Sequence, residues 1–184
     1  DGDTKYNPRQ GKALLEAIAA KLERDNGLSV GADQIVMTFG GKHALYDAFQ
    51  VTLDDGDGVL IPAPYWVSYP AMVSLAGGVP IPLETSAETN FKITPQQILD
   101  NADKAKVLVL NSPSNPTGVT YTREELKAIA DAVLQTDLLV FSDEIYERLV
   151  YGDTEPTCVA ALDPRMAERT LTFNGLAKTY SMTG

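Results

Sequence analysis

Short apolar runs alternate with longer segments of helical periodicity along this chain. The runs with the character of β-strands are 34–39, 58–62, 79–83, 106–111, 138–142 and 170–174. The segments with apolar residues at helical spacing are 12–25, 42–53, 66–76, 95–102 and 123–135. Continuous apolar strands need cover on both faces, which is typical of a mainly parallel sheet. We therefore predict an α/β fold, a mainly parallel sheet with helices on both faces.

Two of these helices have a recognisable first residue. Thr94 precedes Pro95, which suits the first helical position because it has no N–H group to satisfy. Gln97 follows three residues after this threonine, and Glu125 follows Thr122 at the same spacing. Within each pair, the side chain of one residue can accept a hydrogen bond from the backbone N–H group of the other. We therefore predict that helices start after both threonines.

The net charge of the chain indicates which kinds of partner it does not bind. The chain has 25 acidic and 15 basic residues, which gives a net charge of −10. Nucleic acids and anionic membrane surfaces favour basic patches, so we expect neither as a partner. With 44% hydrophobic and 22% charged residues, the composition is that of an ordinary globular domain.

Cysteine content and hydropathy indicate the compartment. Cys158 is the only cysteine, so no internal disulfide can form and we expect a reducing compartment, the cytoplasm. No apolar run reaches the roughly 18 residues that a membrane span needs, and no secretory signal pattern is present. The chain starts at Asp1 rather than at methionine and stops at Gly184 in a glycine-rich stretch, so we expect a piece of a longer protein.

Open parallel sheets bind ligands at the carboxyl ends of their strands, so the turns after the strands are the candidate site. After the first predicted strand, Gly40, Gly41 and Lys42 enter a helix, where backbone N–H groups and the helix dipole can hold an anion. A plain tight turn would use the same glycines. After the second, Trp66 could stack on a flat heteroaromatic ring or anchor a loop to the core.

The next two turns carry an amide and a carboxylate. Asn115 lies in the turn NSPSNPTG. A plain structural turn would explain the prolines and the glycine of this string, but not its repeated side-chain amides. Asp143 ends the next apolar run, and Tyr146 follows three residues later. A buried carboxylate is costly unless a cation or donors meet it, and a protonated ring nitrogen would do so. The alternative is that Ser142 or Asp143 caps a following helix.

The last turn, in FNGLAKTYSMTG, carries Lys178 with no acidic residue near it in sequence. Apolar surroundings disfavour an ammonium, and a neutral amine can attack a carbonyl carbon. The alternative is a lysine whose stem covers apolar surface while its amine reaches water.

Together the five turns supply a phosphate cradle, a stacking aromatic ring, an amide, a carboxylate with a phenol, and an amine. These groups match the parts of pyridoxal 5′-phosphate, namely its phosphate, flat ring, pyridine nitrogen, phenolic oxygen and aldehyde. Each turn by itself is open to a structural explanation, whereas their common place at the strand ends favours this cofactor. We expect no metal.

The strings PYWVSYP, SPSNPTG, SDEIYE and NGLAKTYSMTG, in this order and spacing, resemble the class I aminotransferases of fold type I. The bacterial branch of aspartate and prephenate aminotransferases is the most similar. The resemblance runs from TKYNPRQG onward over essentially the whole chain. It implies ping-pong transfer of an amino group from an amino acid, such as aspartate, to a 2-oxo acid, such as 2-oxoglutarate. Residues 1–184 would then be most of the large cofactor-binding domain, without the N-terminal arm and the C-terminal small domain.

The resemblance also implies a role for each matching residue. Lys178 would carry the cofactor and move a proton between the substrate Cα and C4′, while Asp143 would keep the pyridine nitrogen protonated. Tyr146 and Asn115 would hydrogen-bond the phenolic oxygen, and Asn115 would also reach the substrate α-carboxylate. Trp66 would stack on the ring beside the substrate.

The remaining implied contacts concern the phosphate and a second subunit. Backbone amides of Gly41 and Lys42 would hold the phosphate, and Tyr6 of a neighbouring subunit would reach it, which implies a homodimer with shared sites. A phosphate-binding arginine follows MTG in the family, and another arginine, in the small domain, binds the α-carboxylate. We therefore expect these 184 residues to transaminate poorly by themselves. The family's last antiparallel strand also lies after Gly184. We therefore expect a gap in the sheet between strand 34–39 and the other strands.

Two other functions stay open at this point. The same Lys178 and Asp143 would serve a β-eliminating C–S lyase, which releases ammonia and pyruvate, because a fold does not determine its reaction. A cofactor-sensing domain of a transcription regulator also has this fold. Such a protein needs a basic DNA-binding module, and these 184 residues contain none that the sequence reveals.

Overall fold

A computed structural model of the chain describes residues 11–152 and 154–183. In these ranges five strands form one sheet: β1 (Gly58–Pro62), β2 (Val79–Leu83), β3 (Val107–Asn111), β4 (Leu139–Asp143) and β5 (Thr170–Phe173). Their order across the sheet is β2-β1-β3-β4-β5, and every neighbouring pair is parallel. The predicted parallel α/β fold is confirmed, and these five strands lie within one residue of their predicted bounds.

Helices connect the strands. They are α1 (Lys12–Lys21), α2 (Gly41–Thr52), α3 (Ser68–Leu75), α4 (Pro95–Leu99), α5 (Arg123–Val133), α6 (Pro164–Ala167) and α7 (Leu176–Thr179). A π-helical turn, Leu22–Asn26, continues α1, and 3₁₀ turns occupy Ala32–Gln34, Ala87–Thr89, Ala102–Lys104 and Val159–Ala161. Among the residues described, no helix has the length and apolar content to cross a membrane.

Both predicted helix starts are confirmed. Thr94 Oγ1 accepts a hydrogen bond from the backbone N–H of Gln97, and Gln97 Oε1 accepts one from the Thr94 N–H at 2.9 Å. Thr122 and Glu125 form the same reciprocal pair, with distances of 3.2 and 2.7 Å. Each pair satisfies two N–H groups that the first helical turn would otherwise leave without a partner.

Two apolar clusters cover the two faces of the sheet. Along β3, Leu108 and Leu110 belong to the cluster that includes residues of α4 and α5, while Val107 and Val109 belong to the cluster that includes residues of α2 and α3. This alternation explains why the strand is apolar at every position. Burial of one such side chain stabilises the fold by about 2 kcal/mol, so both faces contribute.

The predicted strand 34–39 is wrong. A 3₁₀ turn covers Ala32–Gln34, and the residues after it are not part of the sheet. Val36 is 76% exposed and Phe39 is 96% exposed, so these two side chains pack against neither face of the described sheet. Apolar, β-branched composition raises strand propensity, but a strand forms only where another strand satisfies its N–H and C=O groups. The expected gap beside this strand therefore has no counterpart in the described sheet.

Candidate active site

The carboxyl ends of β3 and β4 are joined by a side chain. Asn111 and Asp143, their last residues, are partners in the parallel register. Asn111 Nδ2 donates to the Asp143 backbone carbonyl at 2.9 Å, and Asn111 Oδ1 accepts from the Asn115 N–H at 2.7 Å. The turn that carries Asn115 is thus attached to the strand that carries Asp143. Within the described residues the Asn115 side-chain amide makes no hydrogen bond, which leaves its donor and acceptor available.

Asp143 is a buried carboxylate with two donors. It is 5% exposed, Tyr69 Oη donates to its Oδ2 at 2.5 Å, and the N–H of Ile145 donates to its Oδ1 at 3.3 Å. Burial raises the pKa of Asp143 above its ordinary value, and the two hydrogen bonds oppose that rise. No helix follows directly, because 145–148 form a turn, so the interpretation of Asp143 as a helix cap is wrong.

The start of α2 can hold an anion. Gly40 precedes the helix with φ of 90°, a conformation that favours glycine, and the N–H of His43 makes the first helical hydrogen bond, to the Gly40 carbonyl at 3.1 Å. The N–H groups of Gly41 and Lys42 precede that bond and have no partner within the helix. A Cβ atom at Gly40 or Gly41 would meet nothing within 4 Å, so the space beside these N–H groups is open.

Trp66 anchors its turn to the core, which is one of the two roles that the sequence left open. Its ring packs against the apolar cluster under α2 and α3 and meets the Tyr69 ring edge-on, with 5.4 Å between centroids. Lys42 Nζ lies 4.9 Å from the Trp66 ring centroid. The indole is therefore held by the core on one side and accessible to a polar group on the other.

Lys178 lies at the same edge as Tyr146. Its Nζ is 5.8 Å from the centroid of the Tyr146 ring, and within the described residues it forms no ion pair. The expectation of apolar surroundings is wrong, because Lys178 is exposed. The physical reason is its position: α7 has only four residues and follows β5, which is an edge strand, so little packs against it.

A small cavity lies beside these residues, at the ends of β1 and β3. Its lining includes Tyr65, Tyr69, Phe91, Asn115 and Tyr121, and its volume is about 20 Å³. This volume suits a single water molecule and is too small for a larger ligand.

Contacts link most of the predicted site residues into one group. Lys42 lies over Trp66, Trp66 packs on Tyr69, and Tyr69 binds Asp143. Tyr146 lies in the turn that follows Asp143, and Lys178 Nζ lies 5.8 Å from the centroid of its ring. Tyr6, the residue expected to serve a neighbouring subunit, lies outside the described residues.

Two residues of this group, Tyr69 and Asn111, were not predicted. Tyr69 comes three residues after Trp66, a spacing that places two side chains on one face of a helix. Asn111 is a polar residue that ends an apolar strand, in the same position as Asp143 on its neighbour. The spacing of Tyr69 and the strand-end position of Asn111 can both be recognised in the sequence. Neither feature specifies which distant residue the side chain contacts. No group of three or more His, Cys, Asp or Glu in 11–152 and 154–183 is arranged to hold a metal ion.

The fold and this site define a class of protein. The sequence model of the class I and II aminotransferases matches residues 1–184, so this chain belongs to that family. Class I aminotransferases use pyridoxal 5′-phosphate.

The relatives make the family membership more specific. The chain is 51% identical to an aspartate aminotransferase of Bacillus subtilis (strain 168), covering 100% of this chain and 47% of that protein. It is 46% identical to an aspartate/prephenate aminotransferase of Cereibacter sphaeroides (strain ATCC 17029 / ATH 2.4.9), covering 100% of this chain and 46% of that protein. The chain thus spans about half the length of the curated relatives it matches.

A solved structure has the same fold. The aspartate aminotransferase of Thermus thermophilus with maleate superimposes with a TM-score of 0.91 at 45% identity, covering 98% of this chain and 47% of that chain.

The donor set fits the cofactor of the family. Asp143 Oδ1 has only one long hydrogen bond, so it can accept another from a protonated ring nitrogen. The helix start at Gly41 and Lys42 suits a phosphate, and the exposed amine of Lys178 lies at the same edge of the sheet. The chemistry of these groups is thus complementary to that of pyridoxal 5′-phosphate.

Proposed function

We propose that this chain is the cofactor-binding part of an aminotransferase that moves the amino group of aspartate to a 2-oxo acid, 2-oxoglutarate, by a ping-pong mechanism. The observation that carries the proposal is the linked group at the carboxyl edge of the sheet, where Asp143 contacts Tyr69 and Lys178 contacts Tyr146. The choice of aspartate rests on the names of the relatives. When bound, pyridoxal 5′-phosphate supplies an aldehyde carbon and a ring that accepts electrons.

Asp143 holds a proton at the ring nitrogen. An ionised carboxylate in a buried site is a strong acceptor for a charged donor, because little water competes with it. By stabilising the positive charge on the ring nitrogen, Asp143 increases the capacity of the ring to accept electrons.

Lys178 would hold the cofactor through its aldehyde carbon and would be the base that moves the proton of the substrate Cα. Lys178 has no acidic partner among the described residues, which supports this role because no ion pair competes with the aldehyde for the amine. Tyr146, whose ring lies near the amine, orients it and hydrogen-bonds the phenolic oxygen.

The other residues bind and orient. The Asn115 amide would donate to the phenolic oxygen and to the substrate α-carboxylate, and Trp66 would stack on the cofactor ring beside the substrate. The N–H groups of Gly41 and Lys42 hold the phosphate at the helix start. We assign residues 1–184 to the large cofactor-binding domain of a cytoplasmic homodimer in which Tyr6 serves the neighbouring subunit; family resemblance supports the dimer, and the single cysteine supports the compartment.

The test is to map the covalent attachment point. The full-length protein is incubated with pyridoxal 5′-phosphate, reduced with borohydride, digested and analysed by mass spectrometry. We expect the label on Lys178, with Lys42 and Lys127 essentially unlabelled. Labelling spread evenly over these lysines would contradict the assignment.

The reaction is tested by its products. With aspartate and 2-oxoglutarate, we expect glutamate to form in equal amount to the aspartate consumed. Ammonia and pyruvate from a sulfur amino acid, without transfer to an oxo acid, would instead establish a lyase.

A further inference from the structure

The hydrogen bond between Tyr69 and Asp143 joins two buried side chains from distant parts of the chain. Tyr69 is 2% exposed and Asp143 is 5% exposed, and 74 positions separate them in sequence. The Tyr69 hydroxyl donates to Asp143 Oδ2 at 2.5 Å, a short hydrogen bond of the length seen when a hydroxyl meets a carboxylate.

Tyr69 is held so that its hydroxyl has one direction. Its ring meets the Trp66 ring edge-on, and both belong to the packed region under α2 and α3. Its N–H donates to the Trp66 carbonyl at 3.1 Å, which fixes the backbone where α3 begins. Burial and the charge of Asp143 raise the pKa of Tyr69 well above its ordinary value, so the hydroxyl keeps its proton and acts only as a donor.

The two oxygens of Asp143 are therefore not equivalent. Oδ2 receives the Tyr69 hydroxyl, whereas Oδ1 receives only the N–H of Ile145, at 3.3 Å. Tyr69 fixes the rotation of the carboxyl group and leaves Oδ1 as the oxygen with capacity for another donor. Its hydrogen bond also stabilises the charged form of the carboxylate against the cost of burial.

We propose that Tyr69 is a positioning residue that acts through Asp143: it keeps this carboxylate ionised and aims Oδ1 at the ring nitrogen of the cofactor. The proposal rests on the proposed function, because it presupposes a pyridine nitrogen at Asp143. It assigns to the second tyrosine of PYWVSYP a part in cofactor binding through its hydroxyl, while Trp66, three residues earlier, contacts the ring.

Other titratable groups near Asp143 have partners of their own or lie further along the edge. Glu144 binds Ser142 and the 158–161 segment, and Glu147 binds Lys21 and Asn26. Tyr146 lies in the turn that follows Asp143, and Lys178 lies over the Tyr146 ring. Cofactor affinity is expected to fall at low pH, and this part of the pH profile is its acid limb. A change in the acid limb after substitution of Tyr69 is thus attributable to Asp143.

The experiment measures the affinity of the full-length protein for pyridoxamine 5′-phosphate by calorimetry as a function of pH. This probe lacks the aldehyde, so its affinity does not depend on attachment to Lys178. Tyr69→Phe removes the hydroxyl and keeps the ring. We expect about tenfold weaker binding at neutral pH, the loss of one hydrogen bond to a charged group. We also expect the acid limb to move to higher pH, because the carboxylate takes up a proton more readily.

Two further variants separate positioning from a structural role. Tyr65→Phe is the matched control, since the Tyr65 hydroxyl has no hydrogen-bond partner in the described residues, and it should change neither quantity. In an Asp143→Asn background, Tyr69→Phe should have little additional effect, because the residue through which it acts has lost its charge. An equal effect of Tyr69→Phe in both backgrounds would overturn the proposal, as would an unchanged acid limb.

A second substitution covers the case in which Tyr69→Phe unfolds the protein. Incorporation of 3-fluorotyrosine at position 69 keeps the shape and makes the hydroxyl a stronger donor, so the acid limb should move to lower pH; no movement, or the opposite one, overturns the proposal. If the wild type binds the probe and Asp143→Asn weakens it, the proposed function stands whatever Tyr69 does. If the wild type does not bind the probe, both proposals are wrong.

Discussion

Ser142 and Glu144 are hydrogen-bonded to each other on the side of the chain opposite to Asp143. Ser142 Oγ donates to Glu144 Oε1 at 2.9 Å, and the N–H of Val159 donates to the same oxygen at 3.3 Å. Successive side chains of a strand point to opposite faces. Asp143 therefore lies on one side of the chain, and Ser142 and Glu144 lie on the other. Asp143 faces the candidate site, and its two neighbours attach β4 to the segment that begins at Cys158.

Glu144 should make stability depend on pH. It is 4% exposed, and burial raises its pKa to about 7, against an ordinary value of 4.5. Between these values the folded state keeps a proton that the unfolded state has released, so the free energy of unfolding falls as pH rises. A shift of this size corresponds to about 3 kcal/mol. Glu144→Gln should remove this part of the pH dependence, because a neutral amide has no proton to release.

The measurement is denaturant unfolding of the full-length protein at several pH values from about 5 to about 8. Asp143 contributes in the same direction, since burial also raises its pKa, so only the difference between wild type and Glu144→Gln reports Glu144. Parallel curves for the two proteins would contradict the prediction.

Asp143→Ala should slow the proposed amino transfer by about a hundredfold or more, because nothing else in the described site can hold the proton of the ring nitrogen. Steady-state rates of the full-length protein with the proposed substrates, aspartate and 2-oxoglutarate, measure the effect. Asp131→Ala is the control: this carboxylate lies on the exposed side of α5, paired with Lys127. Equal rates for the two variants would remove Asp143 from the mechanism.

Gly58→Ala should destabilise the fold by about 3 kcal/mol, at the upper end of the range for overpacking. A Cβ atom there would lie 1.9 Å from the carbonyl oxygen of Lys104 and 2.8 Å from Ile81 Cδ1. The first contact is with backbone, which cannot move aside as a side chain does. Gly41→Ala is the matched control, since its Cβ would meet nothing within 4 Å. Thermal unfolding of both variants tests the pair, and a Gly58 variant as stable as the Gly41 variant would contradict it.

Tyr121→Phe should cost about 2 kcal/mol of stability. The Tyr121 hydroxyl accepts a hydrogen bond from the N–H of Ile93 at 2.9 Å, and both residues are buried. The variant leaves that N–H without a partner, while the ring remains in the core. Tyr46→Phe should change stability little, because the Tyr46 hydroxyl has no partner in the described residues. Denaturant unfolding compares the two, and equal losses would show that the hydroxyl of Tyr121 is not what matters.

The parallel α/β fold, the helix starts at Thr94 and Thr122, and the placing of polar residues after the strands were all determined by the sequence itself. Each depends on residues that are close together in the chain: the period of apolar side chains, or a threonine three residues before a Glu or Gln. The strand expected at 34–39 shows the limit of such local signals, because strand formation also requires a neighbour.

Only the tertiary structure decided which groups meet. The hydrogen bond from Tyr69 to Asp143, the bridge that Asn111 makes between two turns, and the exposure of Lys178 depend on strand register and on how α3 and α7 pack. These contacts join residues far apart in sequence, and no local pattern specifies the distance between them. The kinds of chemical group in the candidate site could therefore be predicted, whereas the pairing that makes one carboxylate oxygen available could not.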